Sequence, residues 1–247
     1  MKSLKNLNKE SEQFNYFEWL NTIEEEPDLD GAGKSLAPVF FELLHDRRVK
    51  TIYEWCCGPA WIGLWLLEHG ICQELVVSDI NRKAINCVRR TISNHNYSVR
   101  SYVSDNLKDI PESEKFDIIV ANPPNYVNIQ EDHPMGYLRY DLRPSDIDWK
   151  IHKNFYENIG KHTNKKSRMY ISEVEPYKKE VFSFNKLYDL RDIEPIKDFS
   201  EMIVTNNLKL NNVITYDLIL EDEGWDVIFG YPKREMAILD ITIDNSN

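Results

Sequence analysis

The 247-residue chain predicts an α/β fold built on a mainly parallel sheet. Between about residues 51 and 174, short runs of branched apolar residues alternate with segments of helical periodicity. This order is typical of parallel strands joined by right-handed helical crossovers. No linker, repeat or low-complexity segment divides the chain, and its length is sufficient to bury a full-sized core. We therefore expect one continuous α/β unit.

Two helices are predicted before the first strand. Residues 11–24 carry apolar side chains at helical spacing, and so do residues 35–47, where Ser35 is predicted to be the N-cap. We therefore expect residues 1–48 to form an N-terminal helical extension and residues 49–247 to form the main domain.

The elements of the sheet follow from the apolar runs that come next. The predicted strands are Thr51–Cys56, Glu74–Ser78, Val99–Val103, Phe116–Ala121 and Arg168–Val174. The predicted helices are Trp61–Glu68, Arg82–Ile92 and Ile147–Ile159. Beyond residue 176 the pattern predicts a helix near Phe199–Asn206 and two strands, Asn212–Leu220 and Met236–Ile243.

A turn rich in small residues follows the first predicted strand, in the sequence Glu54-Trp-Cys-Cys-Gly-Pro-Ala-Trp-Ile-Gly63. Gly58, Ala60 and Gly63 let the backbone approach a ligand, and the next helix directs its N-terminal amides at the same place. Only Gly58 is expected to need an unusual backbone torsion. A tight turn that binds nothing is the alternative interpretation.

A second set of residues follows the buried strand Phe116–Ala121, whose end reaches the same edge of the sheet. In Asn122-Pro-Pro-Asn125, the side-chain oxygen of Asn122 and the carbonyl of Pro123 are two acceptors that can orient a nitrogen bearing two N–H groups. Pro123 and Pro124 fix the local torsions and remove competing donors. The same string also commonly begins a loop, and that interpretation stays open.

Together these two motifs resemble the class I S-adenosylmethionine-dependent methyltransferases over about residues 30–175. The likeness is greatest to the nitrogen methyltransferases with an Asn-Pro-Pro-aromatic motif, including the release-factor glutamine methyltransferases. The resemblance implies a Rossmann-like, mostly parallel seven-stranded sheet with an antiparallel C-terminal edge hairpin. It also implies S-adenosyl-L-methionine as cofactor and Asn122, Pro123 and Pro124 as catalytic residues. Cys56 and Ala60 replace two glycines of the family pattern.

The cofactor roles follow from this resemblance. Glu54 is expected to attract the methionine ammonium, and Ile80 to cover the adenine. Asp79 follows Gly58 by 79 − 58 = 21 positions, the spacing of an acidic side chain that binds ribose hydroxyls, although it can also be the N-cap of the next helix. The predicted cofactor-binding residues are Glu54, Cys56, Gly58, Ala60, Asp79, Ile80, Asp105, Asn106 and Asn122.

Four residues are predicted to contact the substrate. Asn125 stands where the family has an aromatic residue, which favours hydrogen bonding to an amide or guanidine over stacking, and Tyr126 follows it. Gly33 and Lys34 belong to a segment, residues 31–35, that is either a lid over the cofactor or a simple helix cap. That segment is not a phosphate-binding loop, because Asp28 occupies the position of an essential glycine.

A long polar segment, residues 126–148, is a further candidate for substrate binding. Most of its charged side chains are expected to be solvated, while Glu173 and Glu175 are expected to add negative charge to the site. His152 and His162 receive no catalytic role.

The formal charge of −11 and the pI of about 5.1 disfavour nucleic acid as a partner, since phosphate binding depends on clustered basic residues. No run is apolar enough to span a membrane, and the N-terminus lacks a secretory signal, so a cytoplasmic location is expected. The four cysteines lack metal-ligand spacing and are expected to be reduced, and no metal is predicted. Nothing in the sequence indicates an oligomeric state.

Three functions remain open at this point. The leading hypothesis is an N-methyltransferase that acts on an amide, amine or guanidine nitrogen of a peptide, protein or polar small molecule. The second is a nucleic-acid base N-methyltransferase. The third is a non-catalytic protein of the same fold that binds the cofactor or a partner.

Overall fold

A computed structural model describes residues 19–24, 33–124, 146, 149–174, 195–219 and 233–244. It contains a seven-stranded sheet with the order β3-β2-β1-β4-β5-β7-β6. The strands are β1 Val49–Trp55, β2 Cys72–Asp79, β3 Val99–Val103, β4 Ile118–Ala121, β5 Arg168–Val174, β6 Leu208–Ile219 and β7 Lys233–Ile243. The helices are α1 Gly33–Leu44, α2 Trp61–Glu68, α3 Arg82–Asn94, α4 Lys150–Asn158 with the 3-10 turn Ile159–His162, and α5 Pro195–Thr205.

The sheet is parallel from β3 to β5 and antiparallel at its C-terminal edge. β1 pairs in parallel with β2 and β4, and β5 pairs in parallel with β4. β7 inserts antiparallel between β5 and β6, and β6 carries a bulge between Leu210 and Asn212. The predicted α/β architecture with an antiparallel C-terminal hairpin is therefore confirmed.

Helices cover both faces of the sheet, as the alternation of buried side chains in the strands requires. Ile52 of β1 and Val120 of β4 point to one face, where α1, α2 and α3 pack. Tyr53 and Ile119, the neighbouring residues in the same strands, point to the other face, where α4 and α5 pack. Burial on both faces explains why these strands read as continuous apolar runs.

Several predicted boundaries change. α1 begins at Gly33, so Ser35 lies inside the helix and the prediction that it is the N-cap is wrong. α4 begins at Lys150 instead of residue 147, because Trp149 adopts a left-handed conformation at its N-cap position. The predicted helix at residues 11–24 and the turn at residues 221–225 lie wholly or largely outside the described residues.

The N-terminal helix α1 shares a hydrophobic core with the sheet. Leu36 and Phe40 are completely buried in the same cluster as Ile52 of β1 and Leu64 of α2. The proposed boundary between residues 48 and 49 stays a prediction. None of the helices within the described residues is both long and apolar enough to span a membrane.

Candidate active site

The carboxyl ends of β1, β2 and β4 lie side by side at one edge of the sheet. Trp55, the last residue of β1, is paired with Ser78 of β2 and with Ala121 of β4. The small-residue turn that begins at Cys56 therefore starts between Asp79 and Asn122. Two sets of predicted site residues that are 43 positions apart (122 − 79) are brought together by this register.

The turn itself has an alternating left-handed backbone. Cys56, Gly58 and Ala60 have φ values of 53°, 53° and 66°. The prediction that only Gly58 needs an unusual torsion is wrong, since two non-glycine residues also adopt one. For an L-residue this conformation costs about 1–2 kcal/mol. Strain of this kind persists where surrounding contacts impose it, and it is concentrated at functional sites.

Asp79 ties the turn to the tip of β2. Its Oδ2 accepts a hydrogen bond from the Gly58 N–H at 2.8 Å, and its Oδ1 accepts one from the Asn81 N–H at 2.8 Å. Burial raises the pKa of Asp79, and these two hydrogen bonds oppose that shift. The side chain that caps α3 is Asn81, which accepts from the Lys83 N–H at 3.0 Å, so the alternative prediction that Asp79 is the N-cap is wrong.

Glu54 lies beneath the turn and contacts the start of α2. It is 2% exposed, and its Oε2 accepts a hydrogen bond from the Gly63 N–H at 2.7 Å. Ala60, the residue at the N-cap of α2, has no side-chain acceptor, so Glu54 satisfies a helix amide from the neighbouring strand. Burial raises the pKa of Glu54 to about 8. The predicted attraction of an ammonium group by Glu54 stays a prediction.

Gly63 is required by this packing. A Cβ atom at Gly63 would lie 2.6 Å from Glu54 Oε2 and 2.7 Å from Leu75 Cδ1. The last small residue of the predicted turn is therefore needed for contact between α2 and the strands.

The loops that follow β2 and β3 contain the residues that are predicted to contact the adenine. Ile80 is 59% exposed, one of two large hydrophobic side chains that are exposed among the described residues. Asn106 is buried with φ 55°, and its Oδ1 has no hydrogen-bond partner among the described residues. Asp105 is exposed. Their roles toward the cofactor stay predictions.

The Asn-Pro-Pro motif begins directly after β4. Asn122 and Pro124 are partly buried, and Pro123 is buried. Asn125 and Tyr126 lie outside the described residues, so the structure does not place these two predicted substrate contacts. The catalytic role of the motif stays a prediction.

Gly33 and Lys34 lie beside the turn at the start of α1. A Cβ atom at Gly33 would be 2.8 Å from Cε3 of Trp61, the first residue of α2, and Lys34 Nζ is 5.3 Å from the centre of a Trp61 ring. The fold therefore brings the two residues close to the small-residue turn. Their predicted contact with substrate stays a prediction.

Sequence analysis missed a buried ionic chain on the face of the sheet that α4 covers. His152 Nδ1 lies 2.6 Å from Asp146 Oδ2, and His152 Nε2 lies 2.9 Å from Glu173 Oε1. All three side chains are completely buried. The expectation of a solvated position therefore does not hold for Asp146. One signal was available, since Glu173 is an acidic residue in an otherwise buried strand.

The cysteines are free thiols, as predicted. Burial, and then the charge of Asp79, raise the pKa values of Cys56 and Cys57, so both side chains favour the protonated form. Within the described ranges, no group of three or more His, Cys, Asp or Glu residues is arranged to hold a metal ion.

Several solved structures superpose on most of the chain. Ribosomal protein L11 methylase from Lactobacillus delbrueckii subsp. bulgaricus superposes with a TM-score of 0.52 at 13% identity, over 85% of this chain and 78% of that one. TrmK of M. capricolum, in complex with S-adenosyl-homocysteine, superposes with a TM-score of 0.51 at 10% identity, over 82% of this chain and 66% of that one. The chain therefore has the class I S-adenosylmethionine-dependent methyltransferase fold, and the predicted resemblance is confirmed.

Sequence comparisons agree with this class. Residues 28–135 match the model of the methyltransferase small domain family. A release factor glutamine methyltransferase of Clostridium botulinum is 32% identical over 92 residues, which are 36% of this chain and 32% of the relative. A ribosomal RNA small subunit methyltransferase C of Haemophilus influenzae is 30% identical over 80 residues, 32% of this chain and 24% of the relative. The matches thus span about a quarter to a third of these relatives' length.

Proposed function

We propose that the protein is an S-adenosylmethionine-dependent N-methyltransferase that acts on an amide, amine or guanidine nitrogen of a peptide, protein or polar small molecule. One observation carries the proposal. The pairing of Trp55 with both Ser78 and Ala121 brings the small-residue turn, Asp79 and Asn122 to one edge of the sheet. A cofactor bound by the small-residue turn and Asp79 would face the side-chain amide of Asn122.

The residues at this edge suit S-adenosylmethionine. The Asp79 carboxylate oxygens each use one lone pair on a backbone N–H and keep another for a ribose hydroxyl. The exposed Ile80 offers an apolar surface for a purine ring. Asn106 Oδ1, which has no hydrogen-bond partner among the described residues, can accept from the exocyclic amine of that ring. The bound cofactor would supply an electrophilic methyl group.

Asn122 and Pro123 supply the orientation that nitrogen methylation needs. The side-chain oxygen of Asn122 and the backbone oxygen of Pro123 accept hydrogen bonds from the substrate nitrogen that receives the methyl group. These bonds point the lone pair of that nitrogen toward the methyl group. As the nitrogen gains positive charge in the transition state, both hydrogen bonds become stronger. Since Pro123 and Pro124 have no N–H, neither residue donates to these oxygens in competition with the substrate.

The net charge favours one class of methyl acceptor, whereas the relatives include methyltransferases of both classes. The net charge of −11 supports a peptide, protein or polar small molecule, and one relative is a release factor glutamine methyltransferase. The other relatives are ribosomal RNA methyltransferases, which makes a nucleic-acid base N-methyltransferase the second candidate. Methyl transfer itself is common to both. The predicted cytoplasmic location belongs to this proposal as well.

The test combines binding and transfer. Calorimetry measures the affinity of wild type and Asn122→Ala for S-adenosylmethionine, and labelled methyl transfer is measured to glutamine-containing peptides and to ribosomal RNA. We expect Asn122→Ala to lose transfer by a factor of about 100 or more, with a much smaller fall in cofactor affinity, because Asn122 is one of several predicted cofactor contacts. Binding with turnover that does not depend on Asn122 would contradict the catalytic assignment. Salt-sensitive transfer to RNA alone would favour the second candidate.

A further inference from the structure

The chain Asp146–His152–Glu173 is a buried charged unit directly below the carboxyl edge of the sheet. Asp146 is well satisfied, because it also accepts hydrogen bonds from the N–H groups of Ile151 at 2.8 Å and His152 at 3.0 Å. These bonds cap the N-terminus of α4 and fix the position of the carboxylate. His152 is thereby held between an anchored carboxylate and a second one on β5.

The unit joins one histidine to two acidic side chains. Burial raises the pKa of Glu173, and the charge and hydrogen bond of His152 oppose that shift. Burial alone would lower the pKa of His152, but Glu173 and Asp146 raise it to about 9, so the ring is a cation at neutral pH. This cation lies between Asp146 and Glu173. A buried charge is unfavourable unless other groups compensate it.

One oxygen of the unit is also unsatisfied. Glu173 Oε2 is buried and has no hydrogen-bond partner among the described residues. Trp55 Nε1 and Tyr156 Oη are in the same condition, and both rings lie around His152, with centroid distances of 5.5 Å and 6.3 Å. Unsatisfied buried polar atoms are rare in folded proteins and call for a specific explanation. Three such atoms in the side chains around His152 indicate that a further polar group binds near this histidine.

The register of the sheet relates this unit to the Asn-Pro-Pro motif. Ala121, the last residue of β4, is paired with Ile171 of β5, and Pro123 and Glu173 each follow this pair by two residues. Side chains at alternate positions share a face, so Glu173 lies on the same face as Ile171 and Met169, where His152 packs. Neighbouring strands are about 4.8 Å apart, and Glu173 lies near the carboxyl end of the strand next to the one that leads into the Asn-Pro-Pro motif.

We propose that Glu173, held by His152 and Asp146, presents a fixed negative charge to the nitrogen that receives the methyl group. This inference rests on the proposed function and narrows its substrate class. The site selects an acceptor nitrogen that becomes cationic, and it disfavours an anionic group at the point of transfer.

The chemistry of methyl transfer explains the benefit. The nitrogen lone pair forms the new N–C bond, the electrons of the C–S bond return to sulfur, and the positive charge moves from sulfur to nitrogen. One N–H proton then leaves to solvent. A fixed negative charge on the nitrogen side stabilises the charge distribution of the transition state more than that of the reactants. Glu173 acts here as an electrostatic residue alongside Asn122 and Pro123, whose oxygens accept hydrogen bonds from the substrate nitrogen.

Two cofactor analogues isolate this charge without any knowledge of the acceptor. S-adenosylhomocysteine is neutral at sulfur, whereas sinefungin carries an amine-bearing carbon in place of the methyl sulfonium and is cationic there. Calorimetry gives the ratio of their affinities in wild type and in Glu173→Gln, which keeps the shape and removes the charge. We expect Glu173→Gln to lower the affinity for sinefungin about tenfold and to leave that for S-adenosylhomocysteine unchanged.

Glu114→Gln is the matched control. Glu114 also forms an ion pair, with Arg100 near the amino end of β3, at 2.7 Å. The affinity ratio should be unchanged in this variant. An unchanged ratio in Glu173→Gln as well would overturn the inference and assign the unsatisfied atoms to an ordered water.

Two further outcomes keep this inference separate from the proposed function. If wild type binds neither analogue, the proposed function itself fails, and the inference fails with it. If Glu173→Gln does not fold, a crystal structure of the wild-type complex with sinefungin decides the question. An amine nitrogen within about 6 Å of the Glu173 carboxylate supports the inference, and one farther away overturns it.

Discussion

Replacing Gly63 with alanine tests the packing that holds the small-residue turn in place. A methyl group at this position would lie 2.6 Å from Glu54 Oε2, 2.7 Å from Leu75 Cδ1 and 3.1 Å from Leu75 Cδ2. Glu54 cannot retreat without loss of its hydrogen bond to the Gly63 N–H, and Leu75 is completely buried in β2. Either α2 shifts away from the strands or the buried side chains change conformation.

The magnitude follows from three contributions. Overpacking a well-packed core costs about 1–3 kcal/mol, and a buried hydrogen bond that is lost adds about 1–3 kcal/mol. The greater helix propensity of alanine returns about 1 kcal/mol. We therefore expect Gly63→Ala to lower the free energy of unfolding by about 1–5 kcal/mol, with about 3 kcal/mol as the central value. In a protein of this size that corresponds to a fall in Tm of about 6–12 °C.

Urea unfolding followed by tryptophan fluorescence measures this difference. Gly160→Ala is the matched control, because a Cβ atom at Gly160 meets no atom within 4 Å and φ at this residue is not positive. That variant should be as stable as wild type or slightly more stable. If Gly63→Ala is as stable as Gly160→Ala, the close contact of α2 with Glu54 and Leu75 is refuted.

Two further variants test the electrostatics and the strain of the turn. Since burial raises the pKa of Glu54 from 4.5 to about 8, the native state holds a proton that the unfolded state releases, and this residue makes stability fall as pH rises from about 4.5 to about 8. Glu54→Gln removes that titration, so its stability relative to wild type should rise between pH 5 and pH 9 in urea unfolding; a difference that is independent of pH would contradict the burial of this carboxyl. Ala60→Gly should raise the free energy of unfolding by up to about 1 kcal/mol, because relief of the left-handed strain at φ 66° exceeds the entropy that glycine costs. Ala84→Gly, at a buried position in the first turn of α3, should instead lower it by about 1 kcal/mol, and equal losses in the two variants would contradict the strain at Ala60.

The elements that the sequence predicted best are those in which one local pattern decides the structure. The bounds of Trp61–Glu68, Val99–Val103 and Arg168–Val174 coincide with α2, β3 and β5. The convergence of Asp79 and Asn122 was also predictable, because parallel strands bring their carboxyl ends to the same edge.

The features that the sequence did not reveal depend on tertiary contacts. Left-handed torsions at Cys56 and Ala60 have no local signal, since neither residue type prefers them. The pairing of His152 with Glu173 joins residues 21 positions apart on different elements, and its meaning depends on complete burial. The capping of α3 by Asn81 was missed because Asp79, two residues earlier, is also a suitable residue type.

A crystal structure of the protein with S-adenosylhomocysteine tests the central claim most directly. The account predicts the ribose hydroxyls within about 3.2 Å of the Asp79 carboxylate and the side-chain amide of Asn122 facing the sulfur across the small-residue turn. A ligand bound away from this edge of the sheet, or an Asn122 side chain directed away from the sulfur, would contradict it.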